Sequence, residues 1–167
     1  GTRVVYVPGN HDRPFRDHDG LVLGNVEILR ETVHETADGR RFLVLHGDEF
    51  DSIVRASPML ESLGSTAYSF ALRLNRYVNA VRQRLGYPYW SVSAFLKHKV
   101  KNAVKYIANY ERALAVEAER RGVDGVICGH IHRAEISQID GITYCNDGDW
   151  VESCTALVED FQGRLRL

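Results

Sequence analysis

Four histidines occupy three short glycine-flanked motifs: Gly9-Asn10-His11-Asp12, His46-Gly47-Asp48 and Gly129-His130-Ile131-His132. Imidazole nitrogens together with an amide oxygen suit Mn, Fe or Zn better than Mg or Ca alone. Each motif directly follows an apolar run with the length of a buried strand: Val4-Val5-Tyr6-Val7, Phe42-Leu43-Val44-Leu45 and Val126-Ile127-Cys128. In an open α/β sheet, ligands gather just beyond the carboxyl ends of the strands. Three loops far apart in sequence are therefore expected to converge on one spot. A single histidine at a strand end is more often structural or solvated than a ligand. Three such motifs together point to a metal-dependent hydrolase.

The elements that must position these residues are legible from turn chemistry and periodicity. Residues 31–35 and 41–45 flank Asp38-Gly39, where glycine supplies the positive φ that a tight turn needs. The same pattern places hairpins at 134–139 with 142–146 around Asp140-Gly141, and at 155–159 with 164–167 around Gln162-Gly163. Between the β-rich ends lies a helical block. Tyr68, Leu72, Tyr77, Val81 and Leu85 recur at helical intervals up to Gly86. A second helix is expected from Ser91 or Ser93 to near Gly122, with Val92, Leu96, Val100, Ala103, Ile107, Tyr110, Leu114 and Ala118 on one stripe. Lys97, Lys99, Lys101 and Lys105 lie on its other side, and the Pro-containing aromatic segment 85–90 reads as the bend between the two helices. The expected organisation is thus an α/β body of residues 1–51 and 122–167, with residues 52–121 inserted as a helical cap.

At 167 residues and 44% hydrophobic composition, the chain can bury one ordinary core. No apolar stretch approaches the ~18 residues of a membrane span. Cys128, Cys145 and Cys154 lack metal-ligand spacing and read as buried or near-core thiols of a reducing cytosol. The net charge of −1 conceals an asymmetry, for residues 52–121 hold 12 Lys/Arg against 4 Asp/Glu and the remainder holds 9 against 18. An acidic body suits metal cations, and a basic insert suits an anionic substrate or surface. Other polar residues have plainer readings. Asp48, Glu49 and Asp51 suit a solvated loop; His18, His34 and His98 suit the surface; Trp150, in the turn-like stretch 146–150, suits a packing anchor.

Gly-Asn-His-Asp, the following lone histidine and Gly-His-x-His, in that order, resemble the calcineurin-like metallophosphoesterase family. That family's two earlier elements, Asp-x-His and Gly-Asp-x-x-Asp, do not precede Gly9, and residues 47–51 fit the second only by letters. A C-terminal portion of a longer enzyme is therefore expected, with weak metal binding and little turnover on its own. The resemblance implies a metallophosphoesterase-like β-sandwich flanked by helices, incomplete at its N-terminal side. It implies two divalent ions, Mn or else Fe or Zn, and hydrolysis of a phosphoester or pyrophosphate. Asn10, His46 and His130 would bind the second metal and His132 the first. His11 would protonate the leaving group, with Asp12 holding its ring in one tautomer. Arg13, Lys97 and Lys101 are the candidate substrate contacts.

Within the family the chain is similar to the UDP-2,3-diacylglucosamine diphosphatase-related branch, on the strength of residues 46–51, the basic helical insert, Gly-His-Ile-His and residues 146–152. The lipid A enzymes of that branch carry Gly-Asn-Arg-Asp where this chain has His11. The resemblance implies a nucleotide-linked lipid substrate, a cytoplasmic protein peripheral to the inner face of the membrane, and contact with anionic lipid but no nucleic acid. A phosphodiesterase or phosphatase of a small soluble substrate, and a non-enzymatic interaction module on the same fold, are the alternatives.

Overall fold

The computed structural model of the chain describes residues 2–51, 84–86 and 92–167, with the backbone alone for 92–102. The first expected helix, carried by Tyr68, Leu72, Tyr77 and Val81, lies outside the described residues. So do the bend at 87–90 and the side chains of Lys97, Lys99 and Lys101.

The chain is mixed α/β. Among the described residues the largest sheet has five strands: β4 (Glu31–Glu35), β5 (Arg41–Leu45), β6 (Gly125–Cys128), β7 (Glu135–Ile139) and β8 (Ile142–Asn146). Their spatial order is β4-β5-β6-β8-β7. The central strands β5, β6 and β8 are parallel, in the register Val44↔Ile127 and Cys128↔Asn146. Both edges are closed by antiparallel hairpin partners, β4 on β5 and β7 on β8. Parallel strands are covered on both faces and read as continuous apolar runs. That is the composition of Phe42-Leu43-Val44-Leu45 and Val126-Ile127-Cys128, where Phe42, Leu43, Val126 and Cys128 are almost wholly buried. A second sheet has the order β1-β3-β2, in which β1 (Val4–Tyr6) runs parallel to β3 (Val26–Ile28) and β2 (Val22–Leu23) closes on β3. β9 (Val158–Glu159) and β10 (Leu165–Arg166) form a small ribbon.

The three expected hairpins form where the turns put them. Asp140 (φ 50°) and Gly141 (φ 90°) both take positive φ, as a two-residue turn matched to strand twist requires. At Asp38-Gly39, only the glycine does so, and Thr36 and Arg40 close a longer loop through Thr36 N–H to Arg40 O at 2.8 Å.

One continuous helix spans Val92–Arg120. It stops at Gly122 (φ 66°), where Val123 N–H returns to Ala118 O at 3.1 Å, the left-handed glycine stop anticipated from sequence. The chain divides into two compact units, residues 1–54 with 109–167, and residues 55–108. The second division falls inside the helix rather than near Gly122. Tyr110, Leu114, Ala115 and Ala118 are buried with the core of the first unit, so this end of the helix belongs to the body.

Two of the cysteines are buried, and burial pushes the Cys128 thiol up to about 12 and the Cys145 thiol to about 11. Cys154 is exposed, contrary to the near-core reading, because it sits in the loop after β8. Among the described residues, no helix is long and apolar enough to cross a membrane.

The buried stripe of the helix predicts an unequal response to truncation. Leu114 is fully buried and Val116 is 54% exposed. Leu114→Ala should destabilise the protein by about 2–5 kcal/mol, and Val116→Ala by no more than about 0.5 kcal/mol. Urea unfolding of the two variants measures both. Equal losses would mean that the helix presents another face to the sheet.

Candidate functional site

A parallel ladder sends the carboxyl ends of its strands to one edge. Here β5 delivers His46, β6 delivers Gly129 and His130, and β8 delivers Asp147. His46 and His130 stand side by side with ring centroids 5.1 Å apart, one edge toward the other's face. Both His130 (φ 67°) and His132 (φ 53°) hold left-handed backbone conformations. For residues other than glycine this costs of order 1–3 kcal/mol, and it persists where surroundings over-determine the loop. The surroundings do so here. Asn146, fully buried, donates from Nδ2 to Gly129 O at 2.7 Å and accepts from Gly148 N at 3.0 Å. Asp147 N–H returns to Cys128 O at 3.1 Å.

Asp48 and Asp51, read from sequence as residues of a solvated loop, instead lie against the two rings. Asp48 Oδ1 lies 2.9 Å from His46 Nδ1, and Asp51 Oδ2 lies 3.0 Å from His130 Nε2. Asp48 is nearly buried, and it also receives Arg16 Nη2 at 2.5 Å. Burial alone would raise its carboxyl, but hydrogen bonds from Arg16 and His46 outweigh burial and bring it from its ordinary 3.8 to about 2. A carboxylate ionised at neutral pH can only accept, so His46 Nδ1 is the donor in this contact. Asp147 is shifted the other way. Desolvation raises its carboxyl, and its Oδ1 lies beside Gly129.

The Gly-Asn-His-Asp loop follows β1, which belongs to the second sheet and not to the sheet of β5 and β6. It nevertheless meets His46. A Cβ on Gly9 would come within 2.5 Å of His46 Nε2 and 2.7 Å of its Cδ2, so only a glycine allows that approach. Asn10 is the next residue, and His11 is exposed. The expected contact of Asp12 with the His11 ring is replaced. One Asp12 oxygen receives the Tyr6 hydroxyl and the other receives Gly9 N–H at 2.6 Å, so this carboxylate closes its own loop onto β1. Burial opposes ionisation of Asp12, but these hydrogen bonds outweigh it and lower the carboxyl. Arg13 is exposed at the start of the 3-10 turn Arg13–His18. From the helix, Tyr110 packs its hydroxyl against Gly47 and its ring 6.1 Å from that of His130.

Trp150 is 81% exposed and Val151 88%, so the packing-anchor reading of Trp150 does not hold. The turn is made by Asp149 instead, whose carboxylate accepts from the N–H groups of Val151 and Glu152 at 2.8 and 2.5 Å and leaves both apolar side chains outside.

The donors at hand are of the right kind for a divalent cation. With Nδ1 of His46 turned to Asp48, Nε2 is its other nitrogen, and a second imidazole lies beside it. Among the described residues, no group of three or more His, Cys, Asp or Glu is gathered closely enough to hold a metal ion. Asp48, two residues past His46, could have been found from the habit of ligating imidazoles to donate their other nitrogen to a carboxylate. Asp147 could have been found as the end of a third apolar strand. Nothing local in the sequence marks Arg16.

The family model for calcineurin-like phosphoesterases matches residues 1–134, and the chain belongs to that family. No curated protein matches it.

The depressed Asp48 carboxyl sets a pH window. Its interactions stabilise the fold fully above the unfolded value near 3.8 and are lost as pH falls through about 2. Asp48→Asn should therefore be less stable than the parent at neutral pH, with the gap closing between about pH 4 and pH 2. Chemical denaturation across that range tests this. A gap that stays constant would mean that Asp48 is not ionised against Arg16 and His46.

Proposed function

We propose that this member of the calcineurin-like phosphoesterase family hydrolyses a phosphoester or pyrophosphate bond at a divalent-metal centre that includes His46 and His130. The observation that carries the reading is the pair of imidazoles from adjacent parallel strands, 5.1 Å apart, with the outer nitrogen of His46 held by Asp48. His46 and His130 would hold one cation together with the Asn10 side chain, and His132 would serve a second. Such a cation draws charge from a phosphoryl oxygen and makes attacking water acidic near neutral pH. The residues of the chain then have separate tasks. His11, exposed beside Asn10, gives a proton to the leaving oxygen. Asp12 fixes the loop that carries His11 by tying it to Tyr6 and Gly9. Arg13, exposed next to them, meets the negative charge of the substrate.

For the substrate we propose a nucleotide-linked lipid pyrophosphate of the UDP-2,3-diacylglucosamine type, with Mn as the metal, cleaved at the cytoplasmic face of a membrane. The basic surplus of residues 52–121, with Lys97 and Lys101, supports attraction to anionic lipid. The exposed Trp150 and Val151 support a substrate with an apolar part. His11 in place of arginine favours instead a phosphodiesterase acting on a small soluble substrate, and comparing a lipid-linked pyrophosphate with a soluble diester separates the two.

The proton-donor role predicts a dependence on leaving group. With the family's Asp-x-His and Gly-Asp-x-x-Asp elements restored upstream, His11→Ala should lower turnover of a poor leaving group by about 10²–10⁴-fold, and much less for a nitrophenyl ester, while Mn content stays near that of the parent. His46→Ala and His130→Ala should lose Mn and activity together. Steady-state kinetics with metal analysis on each variant checks this. Full Mn content in both His46→Ala and His130→Ala would end the assignment of the centre, and equal losses on both leaving groups would remove His11 as the donor.

A further inference from the structure

The geometry points to Arg16 as a positioning residue that aims the His46 imidazole by locking the loop after β5 to the loop after β1. Its guanidinium is largely buried, with a side chain 15% exposed against 5% for Asp48. Nε and Nη2 reach Pro8 O at 3.2 and 3.1 Å, and Nη2 also reaches Asp48 Oδ1 at 2.5 Å. That same oxygen accepts from His46 Nδ1 at 2.9 Å. Pro8 precedes Gly9, whose Cα lies against the opposite side of the His46 ring. The contacts close a circuit: guanidinium to Asp48, Asp48 to imidazole, imidazole to Gly9, and Pro8 back to the guanidinium. Arg16 is itself held, because Arg30 donates to the Arg16 carbonyl from Nε at 3.1 Å and Nη2 at 3.0 Å.

The circuit needs an arginine. A planar fork can serve a carbonyl and a carboxylate at once, whereas an ammonium is a point charge on a flexible stem. The positive charge also balances Asp48, which has left water to sit behind His46. Without it, Asp48 would lose its main partner and could turn to solvent. His46 would then be free to rotate and to exchange tautomers, and a cation would have to order the ring on binding. Removing an outer partner of a ligating histidine costs typically 10–100-fold in metal affinity.

The inference rests on His46 being a metal ligand, as proposed above, and the experiment separates the two claims. Mn²⁺ binding to the whole chain is measured by calorimetry for the parent, Arg16→Gln, Arg16→Lys, Asp48→Asn and His46→Ala, alongside ¹⁵N imidazole spectra of the metal-free proteins. His46 in the parent should show a protonated Nδ1. Arg16→Gln and Asp48→Asn should mix the two tautomers and weaken Mn²⁺ binding by about 10–100-fold. Arg16→Lys should restore little of it, because charge without the fork does not close the circuit. If His46→Ala loses Mn²⁺ while all Arg16 variants bind like the parent, the positioning role fails and the metal reading stands. If His46→Ala binds like the parent, the metal reading fails and takes this inference with it. Should Arg16→Gln not fold, a parent His46 protonated at Nε2 would overturn the inference by itself.

Discussion

Parallel pairing of β5, β6 and β8 is the constraint on which the site depends. The hydrogen bonds that align Val44 with Ile127 and Cys128 with Asn146 leave no freedom about which ends coincide. Residues 46, 129–132 and 147 must emerge along one edge, whatever lies between them in sequence. The burial that drives the pairing comes from side chains such as Phe42, Leu43, Val126 and Tyr144, and none of these has chemistry to perform. Packing and function are thus assigned to different residues of the same strands. The apolar residues set the ladder, and the first polar residue past each strand inherits a fixed address.

Fixing an address is not the same as aiming a side chain. The loops past the strands hold their rings by polar contacts that reach back into the body. Asn146 spans Gly129 and Gly148, and Asp48 backs His46. Asp51 faces His130. These groups are buried or half-buried, where an unmet hydrogen bond costs about 1–3 kcal/mol. Each alternative loop conformation therefore abandons several bonds at once. That makes it possible to keep His130 and His132 in left-handed backbone conformations, which an isolated loop of this composition would leave.

Much of this was legible in the sequence where the determining physics is local. Asp38-Gly39 and Asp140-Gly141 specify turns through the φ that glycine tolerates, and the strands on either side follow from them. The helix stop at Gly122 is of the same kind. The chemical motifs were visible because each combines a strand end with a metal-ligating residue type. What the sequence did not disclose are choices among partners that depend on which strands lie next to each other. Asp12 sits beside His11 in the chain, yet it turns to Tyr6, because β1 brings the tyrosine hydroxyl over the loop. Arg16 reads as one more charge in a surface turn until the second sheet places it over Asp48, 32 residues away. Trp150 misled by residue type alone, since the Asp149 turn decides its exposure.

These choices give the site an unequal division of labour between its two histidine loops. The Gly129–His132 loop is held from within its own sheet, by Asn146 at the end of the neighbouring parallel strand. His46 is held across sheets, by a carboxylate neighbour that is itself fastened to the loop after β1. Strand pairing protects the first arrangement, so it resists any change short of unfolding the ladder. The second depends on one guanidinium and on the absence of a side chain at Gly9. If the family's chemistry is tuned anywhere in this chain without disturbing the fold, it is at that cross-sheet contact. A substitution there changes the direction of the His46 ring without touching the strand pairing of the five-stranded sheet.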